Sequence, residues 1–431
     1  MDAQLFTDIS YLNLFTGLFV VALLGGLLIK FWLALRQMRH VAWRRDRVPD
    51  MFAHMVSHDA HQKAAAYTIS RNQWDIWASV YAAAVLVGWT LLGGLAALNY
   101  ALLEKLQHPM AQQLALLACF FLINGALELP LGWYQTFRLE QRFGFNTTTT
   151  ALWIGDLLKG IVLSAAIGLP LAALFLWLMQ KAGIWWWLWA WTAWVAFNVL
   201  LMVIYPTWIA PLFNRFKPLE DAQLAARVQA LMERCGFRSR GLFVMDGSRR
   251  SAHANAYFTG LGHAKRVVFF DTLLNKLNAE EVEAVLAHEL GHFHHRHVIK
   301  RMLVLFALSL AGFALLGWLY NQVWFYTGLG VIPNMMSPNA ALALILFMLV
   351  TPVFGFLLSP FLSALSRKQE YEADAYAVAQ TNGKALASAL LKLYEDNAST
   401  LTPDPLYARF YYSHPPAVER LSHLGFPPLN S

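Results

Sequence analysis

The sequence predicts a mainly α, polytopic membrane protein with seven transmembrane helices and a small cytoplasmic α+β part. Three observations carry that expectation. Of the 431 residues, 58% are hydrophobic and only 14% charged, where soluble domains carry about 25% charged residues. Seven apolar runs are long enough to cross a hydrocarbon core of about 30 Å, which takes roughly 20 helical residues. Between the fifth and sixth runs lies a polar stretch with strand and helix patterns of its own.

The runs cover Tyr11–Leu35, Ile76–Tyr100, Leu114–Trp133, Leu152–Met179, Ile184–Ile204, Met302–Trp324 and Ala340–Leu365. The first is too long for a signal peptide and lacks a small-residue cleavage site. The fourth and fifth are separated only by Gln180–Gly183 and read as a tight helical hairpin. Pro352 and Pro360 should kink the seventh run, because proline removes a helix hydrogen bond and crowds the preceding turn. The cluster Trp185–Trp187 suits an interfacial belt.

Lysine and arginine set the orientation. Arg36, Arg39, Arg44, Arg45 and Arg47 follow the first run, Arg138 and Arg142 the third, and Arg215 and Lys217 the fifth. The other side holds only Lys105 and Lys181. By the positive-inside rule the N-terminus is outside and the C-terminus inside. The chain then divides into five membrane helices with their loops (1–205), a cytoplasmic segment (206–300), two further membrane helices (301–365) and a cytoplasmic C-terminal segment (366–431). These flanking residues account for the net charge of +7, so membrane lipid is an expected partner and nucleic acid is not. Two cysteines, Cys119 and Cys235, make a disulfide framework unexpected and exclude a four-cysteine metal site.

The cytoplasmic segment carries the chemistry. Glu220–Arg234 has the stripe of an amphipathic helix, and Gly241–Met245 and Lys265–Phe270 read as short strands with Asn255–Gly260 extended between them. Asn278 offers an N-cap with Glu281 three residues on, a capping-box variant that opens a helix. That helix runs into His288-Glu289-Leu290-Gly291-His292. Residues four apart share a helix face, so His288 and His292 can grip one ion while Glu289 acts on a water beside it. This is the arrangement of a zinc protease, with the carboxylate as general base. The competing reading is a chance match on a solvated helix face. A strand edge near such a centre can take substrate backbone by strand addition.

Two later segments bear on the motif. Glu370 and Asp374 stand one turn apart. Either Glu370 completes a two-His, one-Glu site while Asp374 fixes a ligand tautomer, or Glu370, Glu372 and Asp374 form a solvated acidic face. Ser413-His414-Pro415-Pro416, with Glu419 and Arg420, is either a surface loop opening a helix or a source of two donors, His414 and Arg420, that steady an oxyanion. His294, His295 and His297 lack the spacing to share an ion with His288 and His292, and read as solvated or supporting. Glu128, in the third run, is expensive in lipid and should face an interior space or pair with Arg138 or Lys159. Asp156 and Lys159 should neutralise each other.

Together these pieces resemble the type I CAAX prenyl proteases, a family of integral-membrane zinc metalloproteases. The likeness rests on Phe143-Gly144-Phe145-Asn146, Asn255–Gly260 with Val268–Leu274, His288–His292 with His297, Arg367–Asp374, and Ser413–Pro416 with Glu419-Arg420-Leu421. These occur in order over nearly the whole chain. The resemblance implies seven helices enclosing a large water-filled chamber and one zinc ion held by His288, His292 and Glu370. It implies Glu289 as the base, Asp374 in support, Asn255, Ala256 and Tyr257 as a groove for substrate backbone, and His414 and Arg420 steadying the transition state. The implied substrate is a peptide or protein, prenylated at its C-terminus or similar. The loops are short for a eukaryotic member and Pro428–Ser431 shows no retention signal, which points to a bacterial inner membrane. The rival functions are a quality-control protease acting on unprenylated membrane proteins and a non-catalytic scaffold or channel.

Overall fold

Long uncharged runs of Leu, Ala, Val, Phe and Trp can satisfy their backbone in lipid only as helices, and helices dominate the computed structural model of the chain. The structure describes residues 2–237, 241–259, 266–334 and 336–425. Gly260, Lys265 and Pro428–Ser431, named above, lie outside them.

The first half is helical: α1 (Asp2–Arg44), α2 (His58–Trp89), α3 (Gly94–Lys105), α4 (Pro109–Tyr134), α5 (Thr150–Lys181), α6 (Trp186–Ile204) and the short α7 (Ala210–Phe213). A mixed segment follows, with β1 (Phe216–Pro218), α8 (Ala222–Arg234), β2 (Leu242–Met245), β3 (Ala256–Thr259), β4 (Arg266–Phe270), α9 (Asp271–Leu274) and α10 (Ala279–His294). Then come α11 (His297–Leu319), α12 (Val323–Thr327), α13 (Ala340–Gly355), α14 (Ser359–Gln380), α15 (Gly383–Asp396), α16 (Pro405–Tyr411) and α17 (Ala417–His423).

Among the described residues, six helical stretches are long and apolar enough to span a bilayer. The expected run Ile76–Tyr100 is not one straight helix. It falls across α2 and α3, which meet at a 44° bend, and the count reaches seven when that pair is one span. The bend sits at Gly93, whose φ of +77° glycine adopts without steric cost. The seventh run is interrupted at the expected place without a bend beyond 40°: α13 ends just past Pro352, a 3-10 turn covers Phe356–Leu358, and Pro360 opens α14.

Leu18, Val21, Leu28, Trp177, Trp189 and Leu303 point outward from the spans. An apolar girdle of that extent belongs in lipid, and the chain is a multi-pass integral membrane protein. Packing gathers into two large cores. One joins the spans through Phe19, Leu95, Leu116, Leu176, Phe325 and Ile345. The other holds the mixed segment through Val228, Leu231, Phe269, Leu286, Leu290 and Leu386. A cavity of about 1120 Å³ is lined from both sides, by α1, α2 and α13 and by α10, α15 and the loop after α16. Lys30, Arg71 and Asp75 line it, so these charges on span helices face an internal space.

The sheet has the order β1-β2-β4-β3, with β2 and β4 parallel and the outer pairs antiparallel. β3 pairs on one side only, with Ala256 opposite Phe269, so its other edge is unpaired within the sheet.

Of two expected charge pairings, Asp156 with Lys159 forms but is not the main bond, and that of Glu128 differs. Asp156 is bonded mainly by Arg250, whose Nε and Nη2 donate at 2.8 and 3.2 Å. Lys159 stands 3.8 Å from Asp156 and donates to the carbonyl of Leu212. Arg250 prevails because its planar fork meets a carboxylate bidentately. Glu128 accepts a hydrogen bond from Asn124, one turn back, at 2.8 Å, rather than pairing with Arg138 or Lys159.

The helix that bears the motif is anchored at its start. Asn278 and Glu281 form both bonds of the capping box. Glu281 also accepts from Ser388 Oγ at 2.7 Å and Lys392 Nζ at 2.8 Å, tying α10 to α15. Burial pushes the Glu281 carboxyl up, but bonds from Lys392, Ser388 and the Asn278 N–H outweigh it and hold it below its ordinary value. A depressed carboxyl contributes stability that is complete above its unfolded pKa and is lost as pH falls through its folded one. Glu281→Ala is therefore expected to destabilise the protein by about 1–3 kcal/mol at neutral pH. Thermal unfolding in detergent should show this, with the gap from wild type closing as the buffer passes below the ordinary carboxylate range.

Candidate active site

Helical spacing puts His288 and His292 on one face of α10, and that face meets α14. The Nε2 atoms of His288 and His292 are 3.3 Å apart. Glu370 of α14 places Oε2 3.4 Å from His288 Nε2 and Oε1 3.4 Å from His292 Nε2. A tetrahedral ion with bonds of about 2.0–2.1 Å holds its donors about 3.3–3.4 Å apart, so the spacing of these three groups fits zinc. Glu370 is buried, and its Oε2 has no hydrogen-bond partner. Arg420 Nη2 stands 3.7 Å from it, too far to hydrogen-bond, and a buried carboxylate oxygen without such a bond is costly, which favours a closer cation.

Each imidazole is oriented from behind. His288 Nδ1 lies 2.8 Å from Asp374 Oδ1, and Asp374 accepts from Arg420 Nε and Nη2 at 2.6 Å each. His292 Nδ1 lies 2.9 Å from His297 Nδ1, and His297 Nε2 lies 2.8 Å from Glu372 Oε2. Such outer partners fix the ring tautomer of a metal-binding histidine. Glu372, a candidate for a solvated face by sequence, orients His297, and His297 is buried.

The remaining candidates divide. Glu289 lines the cavity beside His288, and burial raises its carboxyl above its ordinary value against the pull of His288 and His292. His414 also lines the cavity, with Nε2 3.5 Å from Glu370 Oε1. Arg420 touches the cavity but is buried and committed to Asp374, so it stands behind His288 rather than free to meet a substrate. Asn255 and Ala256 line the cavity. Tyr257 is absent from that lining, and its side chain turns onto Phe270 and Met245.

Phe143 and Phe145 pack edge-on against Tyr67, and Phe145 stacks on His253 at 4.5 Å. Tyr67 donates to Glu140 at 2.8 Å, and His253 Nδ1 lies 2.9 Å from Asn397 Oδ1. This polar wall ties α2 to the mixed segment, and no spacing in the sequence pointed to it.

Gly291 explains how the two helices come together. A Cβ there would lie 2.9 Å from Ala373 Cα and 3.0 Å from its carbonyl oxygen. Gly291→Ala is expected to cost about 1–3 kcal/mol by overpacking and to lower metal content in the purified protein. Gly312→Ala is the control, since its added methyl meets nothing closer than 3.9 Å. Thermal unfolding and elemental analysis check both.

Comparison with known proteins agrees along the chain. Residues 37–215 match the model described as CAAX prenyl protease N-terminal, five membrane helices, and residues 218–426 match peptidase family M48. CAAX prenyl protease 1 of Saccharomyces cerevisiae is 33% identical over 412 residues, covering 88% of this chain and 89% of the yeast protein. The Arabidopsis thaliana homolog is 31% identical, covering 94% of this chain and 96% of that protein. The crystal structure of S. mikatae Ste24p superposes with a TM-score of 0.89 at 30% identity, over 95% of this chain and 99% of that one. The chain therefore belongs to peptidase family M48, among the membrane metalloproteases of CAAX prenyl protease type.

Proposed function

We propose that this metalloprotease binds one catalytic zinc ion through His288, His292 and Glu370 and cuts peptides near a prenylated or similar C-terminus. The observation that carries the metal assignment is the convergence of two imidazole Nε2 atoms 3.3 Å apart with one carboxylate, whose two oxygens each lie 3.4 Å from one of them. Zinc held there would polarise the scissile carbonyl and make a neighbouring water more acidic. Glu289, with its carboxyl raised by burial and facing the cavity, takes the proton of the attacking water and delivers it to the leaving amine. His414 donates a hydrogen bond to the carbonyl oxygen as it gains charge. Arg420 acts through Asp374, which holds His288 in its binding tautomer. The outer edge of β3 at Ala256, just after Asn255, pairs with substrate backbone, and Tyr257 supports that edge through its pairing with Val268 of β4.

The substrate class rests on the relatives, which are CAAX prenyl proteases by name, and on the cavity. Its volume of about 1120 Å³ lies at or beyond the upper end of small-molecule sites, about 300–1,000 Å³, as a lipid-bearing peptide requires. The basic flanks of the spans favour a cytoplasmic site, and the short loops suit a bacterial inner membrane.

Two experiments test the reading. Glu289→Gln should keep its zinc and lose about 10²–10⁴-fold in turnover, whereas Glu370→Ala should lose zinc as well. Wild-type turnover in the first, or unchanged zinc in the second, would discard the assigned role. Purified protein offered a farnesylated CAAX peptide and its unprenylated twin should release the three terminal residues from the first alone, read by mass spectrometry. Equal cleavage of both would mean a quality-control endopeptidase.

A further inference from the structure

A second group of metal-binding side chains lies against the first. His295, His297 and Glu372 each offer one donor atom within 4.8 Å of the other two. None of the three lines the cavity. Between α10 and α11, Arg296 turns the chain with a φ of +55°, a left-handed conformation uncommon for a non-glycine residue. The turn leaves the His295 and His297 rings nearly parallel, 15° apart with centroids 5.4 Å from each other. His297 is buried, but His295 and Glu372 are partly exposed, so an ion can arrive from outside. Two imidazoles and a carboxylate are a donor set suited to zinc and related divalent ions.

His297 also governs His292. The two Nδ1 atoms, 2.9 Å apart, can share only one proton. While His297 Nε2–H donates to Glu372, His297 Nδ1 accepts from His292 Nδ1–H. That leaves the lone pair of His292 Nε2 directed at Glu370 and His288. An ion on His297 Nε2 takes the lone pair there and shifts the ring proton to Nδ1. Two N–H groups then oppose each other, unless His292 moves its own proton to Nε2, where the ring no longer ligates.

We infer that His295, His297 and Glu372 form a second, inhibitory site for a zinc-class divalent cation. Filling it weakens the inner site through the His292–His297 contact. The inhibitory part rests on the catalytic-metal reading above; the outer binding site does not.

The test uses the full chain in detergent, stripped of metal and titrated with Zn²⁺. Bound zinc is measured by equilibrium dialysis and elemental analysis, and peptide cleavage is followed at each free concentration. A tight first equivalent should bring activity up. A weaker second equivalent should bring it down about tenfold. His295→Ala leaves the His292–His297 contact in place. It should keep the first equivalent and the activity, and lose both the second equivalent and the inhibition. Glu370→Ala should lose the first equivalent and keep the second. A wild type that takes a single equivalent, retained in His295→Ala, has no outer site. Two equivalents with undiminished activity would overturn the coupling. A single equivalent lost in His295→Ala but kept in Glu370→Ala would uphold the outer site and overturn the catalytic assignment instead.

Discussion

The backbone contact between α10 and α14 is the constraint on which the rest of the structure depends. Packed helices ordinarily keep their axes about 8–10 Å apart. Here Gly291 lets the backbone of α14 approach until Ala373 occupies the space a side chain would need. Only at that approach do two histidines and one glutamate, all in ordinary helical positions, place their donors at the edge lengths of a zinc tetrahedron. The surrounding bonds hold the two helices there. Glu281 ties α10 to α15. Arg420 on α17 grips Asp374, and Arg367 donates to the carbonyls of Arg409 and Tyr412. The Arg420–Asp374 pair is buried, so removing either member would strand a charge.

The broken seventh span links this contact to the membrane. α13 packs in the core of the spans, the turn at Phe356–Leu358 redirects the chain, and α14 leaves carrying Glu370 towards α10. The fold therefore joins a lipid-facing exterior, an internal cavity with charged lining and the helix pair that brings His288, His292 and Glu370 together. Glu289 and His414 both lie on the wall of that cavity. The proposed outer cation site sits apart from that lining and reaches His292 from the opposite side.

How much of this was legible follows from the range of the interactions. Asn278 with Glu281, the spacing of His288 and His292, and the tight turn before α6 are local patterns, and local propensity decided them. The bend in the second span was less legible, because hydropathy sums over Thr90–Gly93 without registering a left-handed glycine. Glu128 was matched to the wrong partners because sequence shows charges and not directions, and a neutral amide one turn away bonds it instead; Asp156 does meet Lys159, but a distant arginine that no local pattern shows bonds it more closely. Glu370 was legible as a candidate ligand, one turn from Asp374, but Glu372 read only as part of a solvated acidic face. Helix geometry sends Glu370 to the face of α10 that carries His288 and His292, and Glu372 to His297. Arg420 and Asp374 lie far apart in sequence, and nothing short of the fold reveals that they bond.

The most direct measurement of the central claim is an anomalous difference map at the zinc edge from crystals of the metal-replete full chain. The account predicts a strong peak equidistant from Nε2 of His288, Nε2 of His292 and the carboxylate of Glu370. A metal-replete protein with no peak at that point would contradict it, because the cluster of His288, His292 and Glu370 on which the reading rests would then not be the metal site.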